Sequence, residues 1–288
     1  MSKPFPHTRF VCENSICAHL DACLAQVLRR PPILDGLTHS EPATACQPWG
    51  RTRSISDHSA SMMTLLECPL CGGTATTPCG LCIPCERGLP RPMHPCERCS
   101  CEIPVDGPWQ RYCESCLVAP PGFDRCLAAF RYEFPVRELI AGFKFRADFA
   151  LGRSLAILLA ERLRTSFEHS GERPVLVPVP LHERRLRGRG FNQSLLVARV
   201  LADQCALPLA ARHCNRVRAT PPQRGLGAGE RQVNLRGAFS IRQPGRVFPH
   251  VIIVDDVVTT TSTVSEIAAL YRRAGSRRVD VACLARVS

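Results

Sequence analysis

Apolar and polar positions in the C-terminal half of the chain alternate between the helical pattern and the strand pattern. Leu151, Leu155, Leu158 and Leu159 recur at helical spacing and predict an amphipathic helix. The elements that follow are a strand at 175–179, a helix at 192–205, an apolar strand at 251–254, a helix over 264–271 that Gly275 ends, and a strand at 279–285. Helices and strands that alternate in this way predict an α/β fold with a parallel sheet flanked by helices.

The N-terminal half lacks this periodicity and divides by composition. We interpret residues 1–62 as a disordered leader, with a weak helix near 21–30 as an alternative, or as an artefact if translation starts at Met62 or Met63. Residues 66–117 form a cysteine-rich module, and residues 118–150 look like a linker leading into the main domain. The main domain is then expected at 151–288.

Composition adds two constraints to this picture. The chain has 288 residues and 45% hydrophobic residues, which is enough for one medium domain with a real core and a small second one. Its formal net charge is +12, and arginine supplies nearly all of the positive charge. Arginine suits bidentate contacts to phosphate, on a small ligand or on nucleic acid, so charge alone does not choose between them.

The 18 cysteines would suggest disulfides in a secreted chain. The first twenty residues, however, lack the continuous apolar segment of a secretory signal, and no stretch reaches the roughly 18 apolar residues of a membrane span. We therefore expect a cytoplasmic protein without membrane insertion, in which paired cysteines bind metal.

Four C-x-x-C pairs follow one another between residues 68 and 116. They are Cys68/Cys71, Cys82/Cys85, Cys96/Cys99 and Cys113/Cys116. Two residues between thiolates let both reach one tetrahedral Zn²⁺, so the pairs predict a double zinc ribbon with two structural zinc ions. Sequential grouping is the simple interpretation; crossed grouping, an iron–sulfur cluster, and Cys79 or Cys101 as alternative ligands stay open.

The cysteine module has both a structural and a functional interpretation. It is a structural clip, or a platform that contacts single-stranded DNA or a protein partner, and the two are compatible. Its main aromatic residues are Trp109 and Tyr112, so a base-stacking platform is not evident.

The most specific single motif runs from Val251 to Thr263. An apolar strand delivers Asp255 and Asp256 at its carboxyl end, and a hydroxyl-rich turn leads into a helix. Ligands of open α/β sheets bind at this position, where loop amides and the helix N-terminus favour phosphate. Capping alone explains the hydroxyl residues but does not require two acids. An ATPase would need a G-x-x-x-x-G-K-[ST] loop, which the sequence lacks.

This motif closely resembles the phosphoribosyl pyrophosphate (PRPP) signature of type I phosphoribosyltransferases. Residues 177–193, residues 220–239 and the Phe143-Lys-Phe145 segment, together with the cysteine pairs, resemble the ComF family of that superfamily, which comprises competence-type and GntX-like bacterial proteins. The resemblance spans about residues 66–286. It implies a type I phosphoribosyltransferase fold and a glycosyltransferase activity (pentosyl transfer) linked to DNA uptake or the use of external DNA.

The resemblance also implies roles for individual residues. Asp255 and Asp256 would contact the ribose hydroxyls with Mg²⁺ nearby, and residues 220–236 would be a mobile lid over the site. The 5′-phosphate would be held by Thr259, Thr260, Thr261, Ser262 and Thr263. Pyrophosphate would be met by Arg184, Arg185, Arg187 and Arg189, with Gly190 and Asn192 fixing their loop and Lys144 within reach of phosphate.

Three interpretations of the function stay open. The first is a transferase in which Asp255, Asp256, Arg184 and Arg185 carry catalysis and displace pyrophosphate from the sugar C1; His182 is a base by position only. The second is a PRPP-binding regulator without turnover, and the third is a zinc-ribbon adaptor for single-stranded DNA or the uptake machinery. Thr261 bears on the choice, because such loops usually carry glycine there, and a β-branched residue resists positive φ.

Overall fold

Two apolar segments near the C-terminus, at 251–254 and 279–285, form the centre of a parallel four-stranded sheet. A computed structural model describes residues 67–104, 110–167, 173–218, 235, 237–243 and 245–288. The strand order is β1–β6–β5–β2, and all three neighbouring pairs are parallel. The strands are β1 (Arg125–Arg131), β2 (Val175–Pro178), β5 (His250–Val258) and β6 (Arg278–Arg286), and a separate antiparallel ribbon consists of β3 (Cys214–Arg216) and β4 (Phe239–Ile241).

Helices cover both faces of this sheet, as the sequence predicts. They are α1 (Ile83–Arg87), α2 (Glu114–Val118), α3 (Val136–Arg146), α4 (Phe149–Phe167), α5 (Glu183–Arg189), α6 (Gln193–Cys205) and α7 (Ser262–Arg273). Because side chains alternate along a strand, Ile252 and Val254 join the apolar core beneath α4 and α6, while Val251 and Ile253 join the core beneath α7. The predicted parallel α/β sheet is confirmed.

The predicted strand at 251–254 is too short. Strand β5 continues in register with β6 as far as Val258, so that Asp255 pairs with Cys283 and Val257 with Ala285. Both acids therefore lie within the strand, in its second half, and not beyond its end. The predicted helices at 151–159 and 192–205 are confirmed, and Gly275 follows α7 with φ of 102°.

Residues 118–150 do more than link two parts of the chain. They contain β1, which pairs with β6, and α3, which packs against α4. Phe130, Leu139 and Phe143 are almost fully buried in the same core as α4. The main sheet thus starts well before residue 151, while the other expected domain boundaries stay predictions.

The cysteine module packs against the outer edge of β1, where no other strand of the sheet pairs with it. Arg98 accepts a hydrogen bond from the Cys126 amide at 2.7 Å, and Pro90 accepts one from the Arg131 amide at 2.9 Å. Leu70 in the first ribbon is buried in the core of the main domain. The module therefore covers an edge that would otherwise expose unpaired backbone groups.

None of the described helices is long and apolar enough to cross a membrane. Three sequence expectations lie outside the described residues: the leader at 1–62, the ring of Trp109, and nearly all of the lid at 220–236.

Candidate functional site

Two carboxylates lie side by side near the carboxyl end of the central strand β5. Asp255 Oδ1 accepts hydrogen bonds from Ser194 Oγ and from the Asp256 amide, both at 2.9 Å. Asp256 Oδ1 forms an ion pair with Lys144 Nζ at 2.9 Å, in which both side chains are largely buried. The described contacts of both acids thus fall on their Oδ1 oxygens, and they fix the orientation of each carboxylate.

The surroundings change the protonation of this pair. Burial, and then the neighbouring Asp256 carboxylate, raise the pKa of Asp255 to about 7, although Lys144 and the hydrogen bond from Ser194 act in the opposite direction. Asp255 therefore carries a proton for part of the time at neutral pH. A cation bound beside it would favour the ionised form, so the pair can respond to a ligand by releasing a proton.

The hydroxyl-rich turn after β5 keeps a glycine-type conformation although it has no glycine. Thr261 has φ of 55° and ψ of −13°, in the left-handed region. A left-handed conformation costs a non-glycine residue roughly 1–2 kcal/mol. The turn still leads into α7, with the Thr261 carbonyl accepting from the Ser265 amide at 2.8 Å. Thr261 therefore adopts a conformation that favours glycine, and the strain is retained within the turn.

The same turn forms one wall of a small open concavity. Its lining consists of Asp255 and residues 257–264, so an acid and the predicted phosphate-binding hydroxyls face one space. Thr260 Oγ1 and Ser262 Oγ lie 3.2 Å apart. The structure thus brings Thr259, Thr260, Thr261, Ser262 and Thr263 together beside Asp255, at the N-terminus of α7.

The arginine run after β2 forms the short helix α5. Arg184, Arg185 and Arg187 are exposed. Arg189 is more enclosed: its guanidinium lies 5.2 Å from the centre of the Phe145 ring, burial lowers its pKa, and the charge of Asp256 opposes that shift. Of the four arginines, Arg189 is thus placed near the carboxylates, and the others present charge to solvent at the same edge.

Capping residues explain the turns at both ends of α5. His182 Nδ1 accepts a hydrogen bond from the Arg184 amide, so His182 has a structural part as the N-cap. Gly190 ends the helix with φ of 82°, which suits a residue without a Cβ. Asn192 caps α6 through the Ser194 amide and donates from Nδ2 to the Val179 carbonyl at 3.0 Å. Asn192 therefore joins the end of β2 to the helix that carries Ser194.

Sequence reasoning missed three residues of this site. Ser194 contacts Asp255 directly, and its place next to Asn192 at a helix start was the available signal. Arg216 in β3 is within electrostatic range of both Asp255 and Arg185. Arg286 donates to the carbonyls of Val258 and Thr259 at the base of the turn, and nothing in the pattern of the last strand indicates that contact.

The eight predicted cysteine ligands form two groups of four. The groups are Cys68, Cys71, Cys82 and Cys85, and Cys96, Cys99, Cys113 and Cys116, with all Sγ atoms of a group within 4.8 Å of one another. Sequential grouping is therefore confirmed, and the crossed grouping is wrong. Both groups could hold a metal ion.

The sulfur geometry fits a tetrahedral ion. Cys71 and Cys82 have their Sγ atoms 3.6 Å apart, as do Cys99 and Cys113. Four sulfurs at about 2.3 Å from a zinc ion would be separated by about 3.8 Å. Among the described residues Cys79 and Cys101 belong to neither group; Cys79 Sγ contacts Thr77 Oγ1 at 3.0 Å instead.

Similarity to known proteins extends over most of the chain. It is 35% identical over 211 residues to Competence protein F of Haemophilus influenzae, which covers 72% of this chain and 90% of that protein. It is 37% identical over 213 residues to the DNA utilization protein YhgH of Escherichia coli K12, with the same coverage. Competence protein ComFC of Streptococcus pneumoniae is 25% identical over 161 residues, which are 55% of this chain and 67% of that protein. No family model matches the chain.

Proposed function

This chain belongs to the ComF family, and from that membership we propose that it binds PRPP with Mg²⁺ where β5 meets α7 and acts as a phosphoribosyltransferase. The observation that carries the proposal is the concavity in which Asp255, one of two carboxylates held in place by hydrogen bonds and an ion pair, adjoins a hydroxyl-rich turn at a helix N-terminus. Parallel α/β sheets bind ligands at this edge.

The sugar would lie against the carboxylates. Since the contacts from Ser194 and Lys144 occupy the Oδ1 oxygens, the Oδ2 oxygens of Asp255 and Asp256 are the atoms proposed to accept from the ribose diol. Lys144 balances one negative charge and keeps Asp256 in place. Oxygen ligands of this kind suit Mg²⁺, which would supply charge neutralisation to the pyrophosphate when bound.

The 5′-phosphate would lie in the turn. Backbone amides at the start of α7 and the hydroxyls of residues 259–263 offer donors, and the twelve-residue helix adds its dipole. The left-handed Thr261 preserves the path of the turn, which lets successive amides face one point.

Pyrophosphate would leave towards α5. In the proposed reaction the bond from the sugar C1 to pyrophosphate breaks, and a nucleophile on the acceptor forms the new bond to C1. Arg184, Arg185 and Arg187 would meet the departing charge from α5, with Arg189 and Arg216 closer to the carboxylates. Fixed positive charges that face the negative charge developing on the leaving pyrophosphate lower the barrier to this step.

The biological link comes from the relatives. Their names refer to competence and DNA utilization, and we propose that this chain likewise serves DNA uptake or the use of external DNA, in the cytoplasm. Both cysteine groups are proposed to hold structural Zn²⁺, since all-thiolate tetrahedral sites favour that ion. An adaptor part for single-stranded DNA is compatible with the same assignment.

A second candidate is PRPP binding without turnover, which the strain at Thr261 favours. An assay distinguishes the two functions: the protein is mixed with PRPP, Mg²⁺ and each of a panel of nucleobases, and pyrophosphate release is measured. A transferase releases pyrophosphate with one acceptor, and an Arg184→Ala/Arg185→Ala variant loses release but keeps most binding. A regulator is stabilised against heat by PRPP yet releases none. If PRPP neither stabilises the protein nor releases pyrophosphate, the proposal is wrong.

A further inference from the structure

An arginine-lined cavity lies at the opposite end of the sheet from the carboxylates. It has a volume of about 300 Å³ and is lined by Ala210, Ala211, Arg212, His213, Arg242, Gln243, Arg246 and Phe248. It opens where β5 begins, whereas Asp255 and the turn lie where β5 ends. At roughly 3.3 Å per residue, Asp255 lies about 17 Å along β5 from His250 at its start, and Val258, just before the turn, lies about 26 Å along it. The cavity is therefore a distinct place on the molecule.

The charge of this cavity is uncompensated within the described part of the chain. Arg212, Arg242 and Arg246 are exposed, and none of the described lining residues is acidic. The described ion pairs include none of these three guanidinium groups, although Arg272 and Arg278 nearby each contact an aspartate. Three cations that converge without a partner favour a polyanionic ligand.

The walls are held in place by packing and hydrogen bonds. The Arg246 guanidinium lies 5.2 Å from the centre of the Phe248 ring, and that ring lies 4.7 Å from His213. His213 in turn is hydrogen-bonded to Tyr271 at 2.8 Å, and its carbonyl accepts from the Arg242 amide at 2.9 Å. The Arg246 guanidinium thus lies against a buried aromatic group, and the backbone of Arg242 is fixed beside it, so less conformational entropy is lost when Arg246 binds.

We propose that this cavity binds the phosphate of a nucleotide, either free or within a single strand. The arginines would hold the phosphate, while Ala210, Ala211 and the edge of Phe248 offer an apolar wall to sugar or base. The volume of about 300 Å³ lies at the lower end of the usual range of small-ligand pockets, roughly 300–1,000 Å³.

The test compares two double variants of the zinc-loaded full chain with the same change in charge. Arg242→Ala/Arg246→Ala removes two cavity arginines, and Arg153→Ala/Arg199→Ala removes two exposed arginines on α4 and α6. The probe is a fluorescein-labelled single-stranded oligothymidylate at low salt, followed by fluorescence anisotropy. Unlabelled thymidine monophosphate, as competitor and in direct calorimetry, distinguishes a free nucleotide from a strand.

The cavity variant should bind at least about 10-fold more weakly than the parent, and the slope of log affinity against log salt should fall by about 1.4 for two lost phosphate contacts. The control should stay within about 2-fold of the parent. Equal losses in both variants, or a parent that binds neither strand nor mononucleotide, would overturn the proposal. Undiminished PRPP binding by the cavity variant would show that its loss of oligonucleotide binding does not arise from damage to the proposed PRPP site.

Discussion

Arg286, in the last strand, donates its Nε–H to the carbonyl of Cys99 in the second cysteine group at 3.0 Å. The same guanidinium donates through Nη1 to the carbonyls of Val258 and Thr259, at the start of the phosphate-binding turn. Arg286 is only 8% exposed. One buried side chain therefore joins a proposed zinc site to the proposed PRPP site.

Replacing Arg286 should uncouple these two sites. Arg286→Lys keeps the charge but loses the planar guanidinium group and its several donors. Each buried carbonyl left without a donor destabilises the folded protein by about 1–3 kcal/mol. We expect weaker PRPP binding in calorimetry and a lower Tm. Arg278→Lys, at the other end of the same strand, is the matched control. If Arg286→Lys and Arg278→Lys both bind PRPP as the parent does, the hydrogen bonds of Arg286 do not contribute to PRPP binding.

Metal content tests the cysteine groups directly. Plasma mass spectrometry should find about two zinc ions per chain in the parent and about one in Cys82→Ser, because loss of one thiolate opens a four-ligand site. Cys101→Ser, which lies beside the second group but outside it, should retain both. A strong chelator should lower the Tm, since metal binding contributes folding energy. Unchanged zinc content in Cys82→Ser would contradict the assignment.

Lys144 should stabilise the carboxylate pair in a pH-dependent manner. Because the pKa of Asp255 is raised to about 7, that residue favours folding below its ordinary pKa near 4 and ceases to do so as pH rises through 7. Lys144→Met leaves Asp256 without its cation, so we expect a loss of about 3 kcal/mol near pH 8, where Asp255 is ionised, and less near pH 5, where Asp255 is protonated.

Urea denaturation at the two pH values measures this difference. Lys144→Arg keeps the charge and is the control, and Asp255→Asn, which retains the Oδ1 acceptor, should remove most of the pH dependence. A loss in Lys144→Met that is the same at both pH values would mean that packing, and not charge, explains it.

Relief of the strain at Thr261 should stabilise the protein. Thr261→Gly removes a left-handed cost of roughly 1–2 kcal/mol and adds a smaller entropic cost, so a net gain of about 0.5–1 kcal/mol is expected. Asn tolerates this conformation better than Ala, so the order of Tm should be Gly, Asn, Ala. PRPP affinity should follow the same order if the turn binds phosphate. A lower Tm for Thr261→Gly than for Thr261→Ala would contradict the claim that the left-handed conformation of Thr261 destabilises the protein.

Much of the main domain could be predicted from local patterns, and the exceptions have physical reasons. The apolar run at 251–254 marks the centre of β5, but its extension through Asp255 to Val258 depends on pairing with β6, which no local pattern contains. The same limit applies to 118–150, where the apolar spacing of β1 is evident only once β6 lies beside it.

The candidate site shows the same division. Residues in one motif, such as Asp255 and Thr261, were predictable because the chemistry and the turn are encoded together. Ser194, Arg216 and Arg286 reach the site from other elements, and Arg286 does so 27 residues after Thr259. Side chains of this kind are positioned by tertiary packing, so a single sequence does not single them out.

The most direct test of the account is calorimetric titration of PRPP with Mg²⁺ into zinc-loaded protein, beside an Asp255→Asn/Asp256→Asn variant. We predict saturable binding by the parent, proton release on binding that depends on pH near 7, and loss of at least about 10-fold in affinity in the variant. Absence of binding by the parent, or equal binding by both proteins, would contradict the proposal that this carboxylate pair holds the sugar of PRPP.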